Sequence, residues 1–425
     1  MIKEALPEGW EKVKLGEICQ IIRGASPRPM GDPLYFTGNI PFLKIADITR
    51  VSGKVVFESK TMVNALGAEK SRLLKKGTLV LTNSASVCIP KFLGSDACIH
   101  DGFVSFINFK RETDLNFLYY YFDYMRPSVI QNNRQGITQV NLNTDIIRDF
   151  DLLFPPPSQQ HQIVEKIEEL FSELDKGIEN LKTAQQQLKV YRQAVLKWAF
   201  EGRLTNEDVK DGELPVGWEW VKLGDVADVN PKLPNKEVLL DTSEVQFIPM
   251  KLVEEVNGKV HLTETRNFGE VKKGYTSFIN KDVIFAKVTP CMENGKIAVV
   301  DNLINDIGFG STEFHVIRSK GKAKSQYLFN FLVQERFRNE AENEMTGAVG
   351  LRRVPKQFIE NYNLPLPTIQ EQQQIVQEIE SRLSVCDKIE ETISTSLQQA
   401  EALRQSILKK AFEGKLLMKI ALEFI

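Results

Sequence analysis

The sequence predicts an α+β protein with two tandem, pseudo-symmetric mixed α/β domains, each followed by a long helix, the two helices pairing as a coiled coil. Three observations carry this. LPEGWEKVKLGEICQI at 6–21 returns as LPVGWEWVKLGDVADV at 214–229. A longer block, 159–204, returns at 371–416 with a constant offset of 212 and no insertion, so its length is fixed. Both copies of that block carry apolar residues at spacings of three and four, the signature of an amphipathic helix. The domains follow as 1–155, a first globule; 156–204, a first long helix; 205–367, a second globule; 368–416, a second long helix; and 417–425, a tail.

The first helix follows the proline run PPP at 155–157 and buries Ile163, Ile167, Leu170, Leu174, Ile178, Leu181 and Leu188. The second follows PLP at 365–367 and presents Ile375, Ile379, Leu383, Cys386, Ile389, Ile393, Leu397 and Leu403. Gly202 and Gly414 are natural C-terminal caps. Gln159 to Ala199 as one helix is roughly 60 Å long at about 1.5 Å per residue. Soluble helices beyond about 25 residues usually lean on another helix, so the two are expected to be each other's partner. A simple dimerising tail occurs once, at one end; here globule and helix alternate.

The globules contain β-rich runs, GTLVLTNSASV (77–87) and DVIFAKVTP (282–290), among turn signals. Each also holds a helical stretch, LNFLYYYFDYM (115–125) and SQYLFNFLVQERF (325–337), whose Tyr119, Tyr120, Phe122, Tyr327 and Phe329 are expected in the core. The closing LLMKIALEFI is expected to add a strand or helix against the first domain.

Composition narrows the function. Hydrophobic residues at 42% and charged residues at 26% describe a folded, soluble chain. With no apolar run of about 18 residues and no leader-like N-terminus, a cytoplasmic protein without a membrane partner is expected. Five scattered cysteines and four histidines suggest neither a disulfide framework nor a metal site. The net charge of -2 gives no global attraction to nucleic acid, so a DNA-binding face must be local. Phosphate-binding glycine loops, metalloprotease and hydrolase motifs are missing, as is the tetrapeptide by which adenine methyltransferases hold a flipped base. No catalytic residue is assigned; EDVK at 207–210 reads as solvated linker.

The order of the blocks closely resembles the specificity subunit of Type I restriction-modification systems over essentially the whole chain. The carriers are LPEGWEKVKLGEI and LPVGWEWVKLGDV at the domain starts, PPPSQQHQIV and PLPTIQEQQQIV at the helix starts, and AVLKWAFEGRL and SILKKAFEGKL at the helix ends. The resemblance implies two target-recognition domains with the helices as an antiparallel spacer. They would read a bipartite sequence in double-stranded DNA across a fixed, non-specific gap. It further implies a non-catalytic chain that binds no cofactor directly and recruits two methyltransferase subunits and motor-nuclease subunits; S-adenosylmethionine, ATP and magnesium belong to those partners. A structural coiled-coil protein without DNA specificity is the alternative, and a freestanding nuclease or methyltransferase ranks third.

TPCMENGKIAVV (289–300) and GFGSTEFHVIR (308–318) look typical of one half of that family, while the first domain reads TNSASVCIPKFLGSDACIHDGFVSF (82–106). Asn83, Ser84 and Ser86 then stand where Thr289 and Pro290 stand, which implies different half-sites. Base edges call for Arg, Lys, Asn and Gln, and phosphates for positive charge. The DNA-binding candidates in the first domain are Arg23, Arg28, Lys44, Arg50, Asn83 and Ser84. In the second they are Arg266, Lys272, Lys273, Lys287, Thr289, Asn294 and Lys296. GLRRVPKQF (350–358) pairs loosely with RQGITQVNL (134–142).

Overall fold

The computed structural model describes residues 6–133, 142–206, 208–210, 212–234, 239–348 and 350–417. Most of the closing LLMKIALEFI, most of RQGITQVNL and the first residue of EDVK lie outside them. The chain divides into two compact units, 1–181 with 395–425, and 182–394. Each unit therefore takes a globule, half of one long helix and half of the other.

Beside a two-stranded sheet, each unit carries two larger sheets with matching strand orders. In the first, a five-stranded sheet runs Gln20–Arg23, Phe103–Ile107, Leu79–Thr82, Pro90–Leu93, Val55–Val56, and a four-stranded sheet runs Met62–Val63, Ile40–Leu43, Ala97–Ile99, Leu73–Leu74. In the second, the matching orders are Ala227–Val229, Phe314–Ser319, Val283–Ala286, Ile297–Val299 and Thr265–Asn267, Glu244–Ile248, Ile307–Gly310, Thr276–Ile279. The parallel pairing of the two middle strands in the second sheet recurs in both units.

The central strand explains why its sequence is unbroken apolar rather than alternating. Leu79 and Leu81 face the core shared with the helices, while Val80 faces the core between the sheets. Val283 and Phe285 face one side and Ile284 and Ala286 the other in the second unit. A strand covered on both faces must be hydrophobic at every position. The strands are shorter than the β-rich runs around them: Asn83 onward turns away, with Ala85 and Cys88 at positive φ (56° and 60°).

The aromatic helices pack inward as expected, with Tyr119, Tyr120, Phe122, Tyr327 and Phe329 all buried. They differ in length. The first unit has one helix, Leu115–Asn133, whereas the second breaks into Ser325–Leu332 and Glu335–Asn343. Gln334 adopts ψ 141°, which redirects the chain so that Phe337 joins Phe331 in the aromatic core.

The long helices are Pro157–Phe200 and Ile369–Phe412, 44 residues each. In the first unit the start of the first helix (Ile163, Val164, Ile167, Phe171) shares a core with the end of the second (Ile407, Leu408, Ala411, Phe412). In the second unit Val195, Leu196, Ala199 and Phe200 meet Ile375, Val376 and Ile379. Starts meet ends in both units, so the packing is antiparallel. Ile379, Cys386, Ile393, Ala400 and Ile407 are buried at intervals of seven, a heptad seam. Leu174, Ile178, Leu181, Leu188 and Leu397 are half-buried beside Leu170 and Leu383.

Two expected seam residues are not buried: Ile389 is 43% exposed and Leu403 is 50% exposed. The half-buried positions are the next ones, occupied by Glu390 and Arg404, so spacing by hydrophobicity alone chose the apolar neighbour of a polar seam residue.

Each helix ends in the same cap. Arg203 N–H reaches Trp198 O while Gly202 N–H reaches Ala199 O, and Lys415 with Gly414 repeats this on Lys410 and Ala411. Both glycines hold positive φ, 78° and 73°, the Schellman arrangement. A Cβ on Gly202 would lie 2.1 Å from Pro215 Cγ, and one on Gly414 would lie 2.5 Å from Pro7 Cγ. Those prolines open the two LPxGW motifs, which explains why helix end and domain start repeat together.

Candidate nucleic-acid interface

One backbone node fixes the site in each unit. Asn83, just past the central strand, donates its N–H to Gly102 O and accepts from Leu142 N–H. Lys287 does the same with Glu313 O and Val354 N–H. Leu142 and Val354 are 212 residues apart, so the repeat offset holds where the chain returns toward the long helix. Hydrogen bonding therefore aligns Asn83 with Lys287, and not with Thr289 as the similarity of loop sequences suggests.

In the first unit the node gathers side chains from distant stretches. Arg23 Nε donates to Asp101 O at 2.8 Å, Arg28 Nη2 lies 3.2 Å from Asp101 Oδ2, and Ser26 Oγ donates to Oδ1 at 3.1 Å. Ser84 Oγ and His100 Nδ1 crowd Gly102, where an added Cβ would lie 2.9 and 3.1 Å from them. Gly102 N–H donates to His100 Nδ1, and burial holds this imidazole below its usual range against the opposing pull of Asp101. The charges of Arg28, Lys44 and Arg23 push the same way as burial. Asn83 is 4% exposed, with no hydrogen-bond partner for Oδ1. Lys44 precedes the short helix Ile45–Thr49, and Arg50 closes its far end. His100, Asp101 and Ser26 were not legible as site residues, because only the turn between the sheets brings them to the arginines.

In the second unit the candidates divide into two groups. Lys287 stands beside Glu313, which Arg353 grips with Nε at 2.8 Å and Nη2 at 2.7 Å. That grip, helped by Lys287 and His315, holds the Glu313 carboxyl below the usual carboxylate range. Thr289 N–H donates to Arg352 O and its hydroxyl to Glu293. GLRRVPKQF thus supplies Arg352 and Arg353 to this corner. Asn294 is exposed and bonded to Glu255.

The other group lies on the edge of the second sheet. Arg266 stacks 3.7 Å above the Phe247 ring centre and donates to Tyr275 Oη at 3.2 Å. Lys272 pairs with Asp241 at 2.5 Å, and Lys273 is exposed. Lys296 belongs to neither group, because its ammonium turns inward onto the carbonyls of Val253 and Met250 at 2.9 and 3.3 Å.

Fold and site define a scaffold with two copies of one two-sheet module, joined to heptad helices and presenting polar and basic side chains at matching strand ends. Residues 7–183 and 215–399 match the family model of the Type I restriction modification DNA specificity domain, and the chain belongs to that family. It is 40% identical to the EcoAI specificity subunit of Escherichia coli over 48% of this chain and 34% of the relative, so it spans about a third of that relative in the match. It is 26% identical to the EcoDI specificity subunit of Escherichia coli over 97% of this chain and 89% of the relative. Among solved structures, one from work on complex assembly and conformational transition of the type I R-M system superposes with a TM-score of 0.72 at 19% identity, over 97% of this chain and all of the other. The HsdS subunit from Thermoanaerobacter tengcongensis superposes with a TM-score of 0.60 at 20% identity, over 97% and 99%. Both likenesses speak to fold. No described helix is long and apolar enough to cross a membrane.

Proposed function

We propose that this chain is the sequence-reading subunit of a Type I restriction-modification complex acting on cytoplasmic DNA. Each unit reads one half of a bipartite target, and the halves differ. The carrying observation is the shared node whose side chain is Asn83 in one unit and Lys287 in the other. The backbone node is shared while its side chain is not: Asn83 is a buried neutral amide and Lys287 a half-buried cation, so the two strand ends present different chemistry to DNA. Equal helices of 44 residues support a fixed gap between the halves.

The chain itself has no catalytic role in this reading. Methylation, with S-adenosylmethionine, and cleavage, with ATP and magnesium, belong to two methyltransferase subunits and motor-nuclease subunits recruited to the repeated surfaces, where pseudo-symmetry inside one chain suits identical partners outside it.

The test is genome-wide adenine-methylation mapping in a host carrying this chain and its methyltransferase, compared with a host lacking this chain alone. Two short blocks around a constant gap, vanishing with the chain, are expected. An assembled, active methyltransferase complex with an unchanged methylation pattern would leave a structural coiled-coil role instead.

A further inference from the structure

We propose that Lys91 and Lys296 are positioning residues for sequence discrimination, each clamping the short helical segment that leaves a middle strand of the second sheet of its unit. The inference rests on the DNA-reading function above.

Lys91 is 4% exposed and its ammonium donates to Val51 O at 2.9 Å and to Gly53 O. Those carbonyls directly follow the helix Ile45–Thr49, whose flanking residues are Lys44 and Arg50. Lys296 donates to Val253 O and Met250 O, around the 3-10 turn Met250–Leu252. That turn leaves the second-sheet strand Glu244–Ile248, as the Ile45–Thr49 helix leaves Ile40–Leu43. Both lysines thus hold the segment that leaves this strand, Lys91 from within a strand of the first sheet and Lys296 from just before one.

They reach it from different positions. Val80 lies opposite Lys91, and its counterpart Ile284 lies opposite Ala298. Thr82 N–H bonds Ile89 O, and Ala286 N–H bonds Lys296 O. Lys91 therefore corresponds to Ala298, and Lys296 to Ile89, two places earlier in the chain and so on the same side of the extended backbone. Neither unit carries the other's lysine, yet an ammonium reaches two carbonyls of this segment in both: just past the helix in the first unit, and at the two ends of the turn in the second. A solvent-facing phosphate contact would not be aimed inward twice, by two routes. An ammonium offers three donors and no acceptor, so it can satisfy two carbonyls of a short helical segment at once. Methionine fills similar space and satisfies neither. Losing the clamp lets the segment shift by fractions of an ångström, enough to degrade base readout while phosphate contacts persist.

The experiment uses the full chain assembled with its methyltransferase subunits and S-adenosylmethionine. Duplexes carry the mapped target or a single substitution in one half. For K91M we expect the cognate-to-mismatch rate ratio to fall about tenfold in one half and to stay within twofold in the other. K296M is expected to relax the opposite half. A general loss of stability would slow every duplex in proportion and leave both ratios intact, and that result overturns the inference, as does relaxation of the same half by both variants. Should K91M fail to accumulate, K296M, at the less buried lysine, decides alone: unchanged ratios in both halves overturn it. A wild-type complex with no bipartite preference at all would instead remove the function on which the inference stands.

Discussion

Arg192 Nη2 lies 2.6 Å from Asp387 Oδ1 in the second unit, and Arg404 meets Asp175 in the first. Both arginines and both acids are 212 residues apart, so one ion pair is written twice, once in each half of the antiparallel helix pair. Arg192 also reaches Glu390 at 3.1 Å, while Arg404 lies over the Phe171 ring at 4.3 Å. A charged residue at a heptad seam lowers stability relative to an apolar one but admits only the register that supplies its partner. The acids are 70% and 61% exposed, which limits each pair to about 0.5–1 kcal/mol. We expect R192A and R404A to lower the unfolding free energy by about that much each and additively, since they act in separate units. The double swap Arg192→Asp with Asp387→Arg should recover only part of the loss, because an aspartate at 192 faces Glu390. Urea unfolding of the four variants checks this, and strong non-additivity between R192A and R404A would contradict it.

Gly202 and Gly414 test the junction between helix end and domain start. Alanine at either position must hold a positive φ and push into Pro215 or Pro7 at under 3 Å. We expect G202A and G414A to destabilise by about 1–3 kcal/mol, above the usual cost of removing a cap glycine because of the added overlap. The paired controls P215A and P7A should relieve part of it.

The large organisation was legible because it is written in local signals. A constant offset, two proline starts and two glycine caps mark the two long helices, Pro157–Phe200 and Ile369–Phe412, each ending just before its cap glycine. What escaped was set by tertiary partners. Glu390 sits on the seam because Arg192 reaches it, and spacing alone favoured Ile389. Residue type makes Lys296 a DNA-binding candidate, whereas the carbonyls of Met250 and Val253, distant in sequence, turn its ammonium inward. Arg23, Arg28 and Ser84 were singled out for residue type, but Asp101, around which the first two gather, had no signal of its own.

His315 gives the second unit a pH dependence. Its Nε2 lies 2.8 Å from Val354 O, to which it donates, and its Nδ1 lies 2.9 Å from Asn230 Nδ2. Burial, with Lys287 and Lys356 nearby, holds its pKa below the ordinary value, against the Val354 carbonyl and Glu313. As pH falls below about 6.5 the unfolded chain takes up the proton before the native one does, so this stability is present at neutral pH and lost on acidification. We expect the urea midpoint to fall between pH 7.5 and pH 5, and H315Q to flatten that part of the dependence. An H315Q profile parallel to the wild type would assign the acid sensitivity elsewhere.

Salt dependence separates side chains that meet phosphate from those that hold the fold. The exposed Arg23 and Arg28 converge on one residue, Asp101, Arg23 on its carbonyl and Arg28 on its carboxylate, leaving two guanidiniums beside a single acid. If they face phosphate in the complex, each contributes close to one released counterion, and R23A with R28A should reduce the slope of log affinity against log salt by about 2. Lys296, turned onto two carbonyls, should contribute none, so K296M should leave that slope unchanged. Binding of the assembled methyltransferase complex to a fluorescent target duplex across salt concentrations reads both. A reduced slope for K296M, with none for the arginine pair, would move the DNA-facing surface of the first unit away from the Asp101 turn.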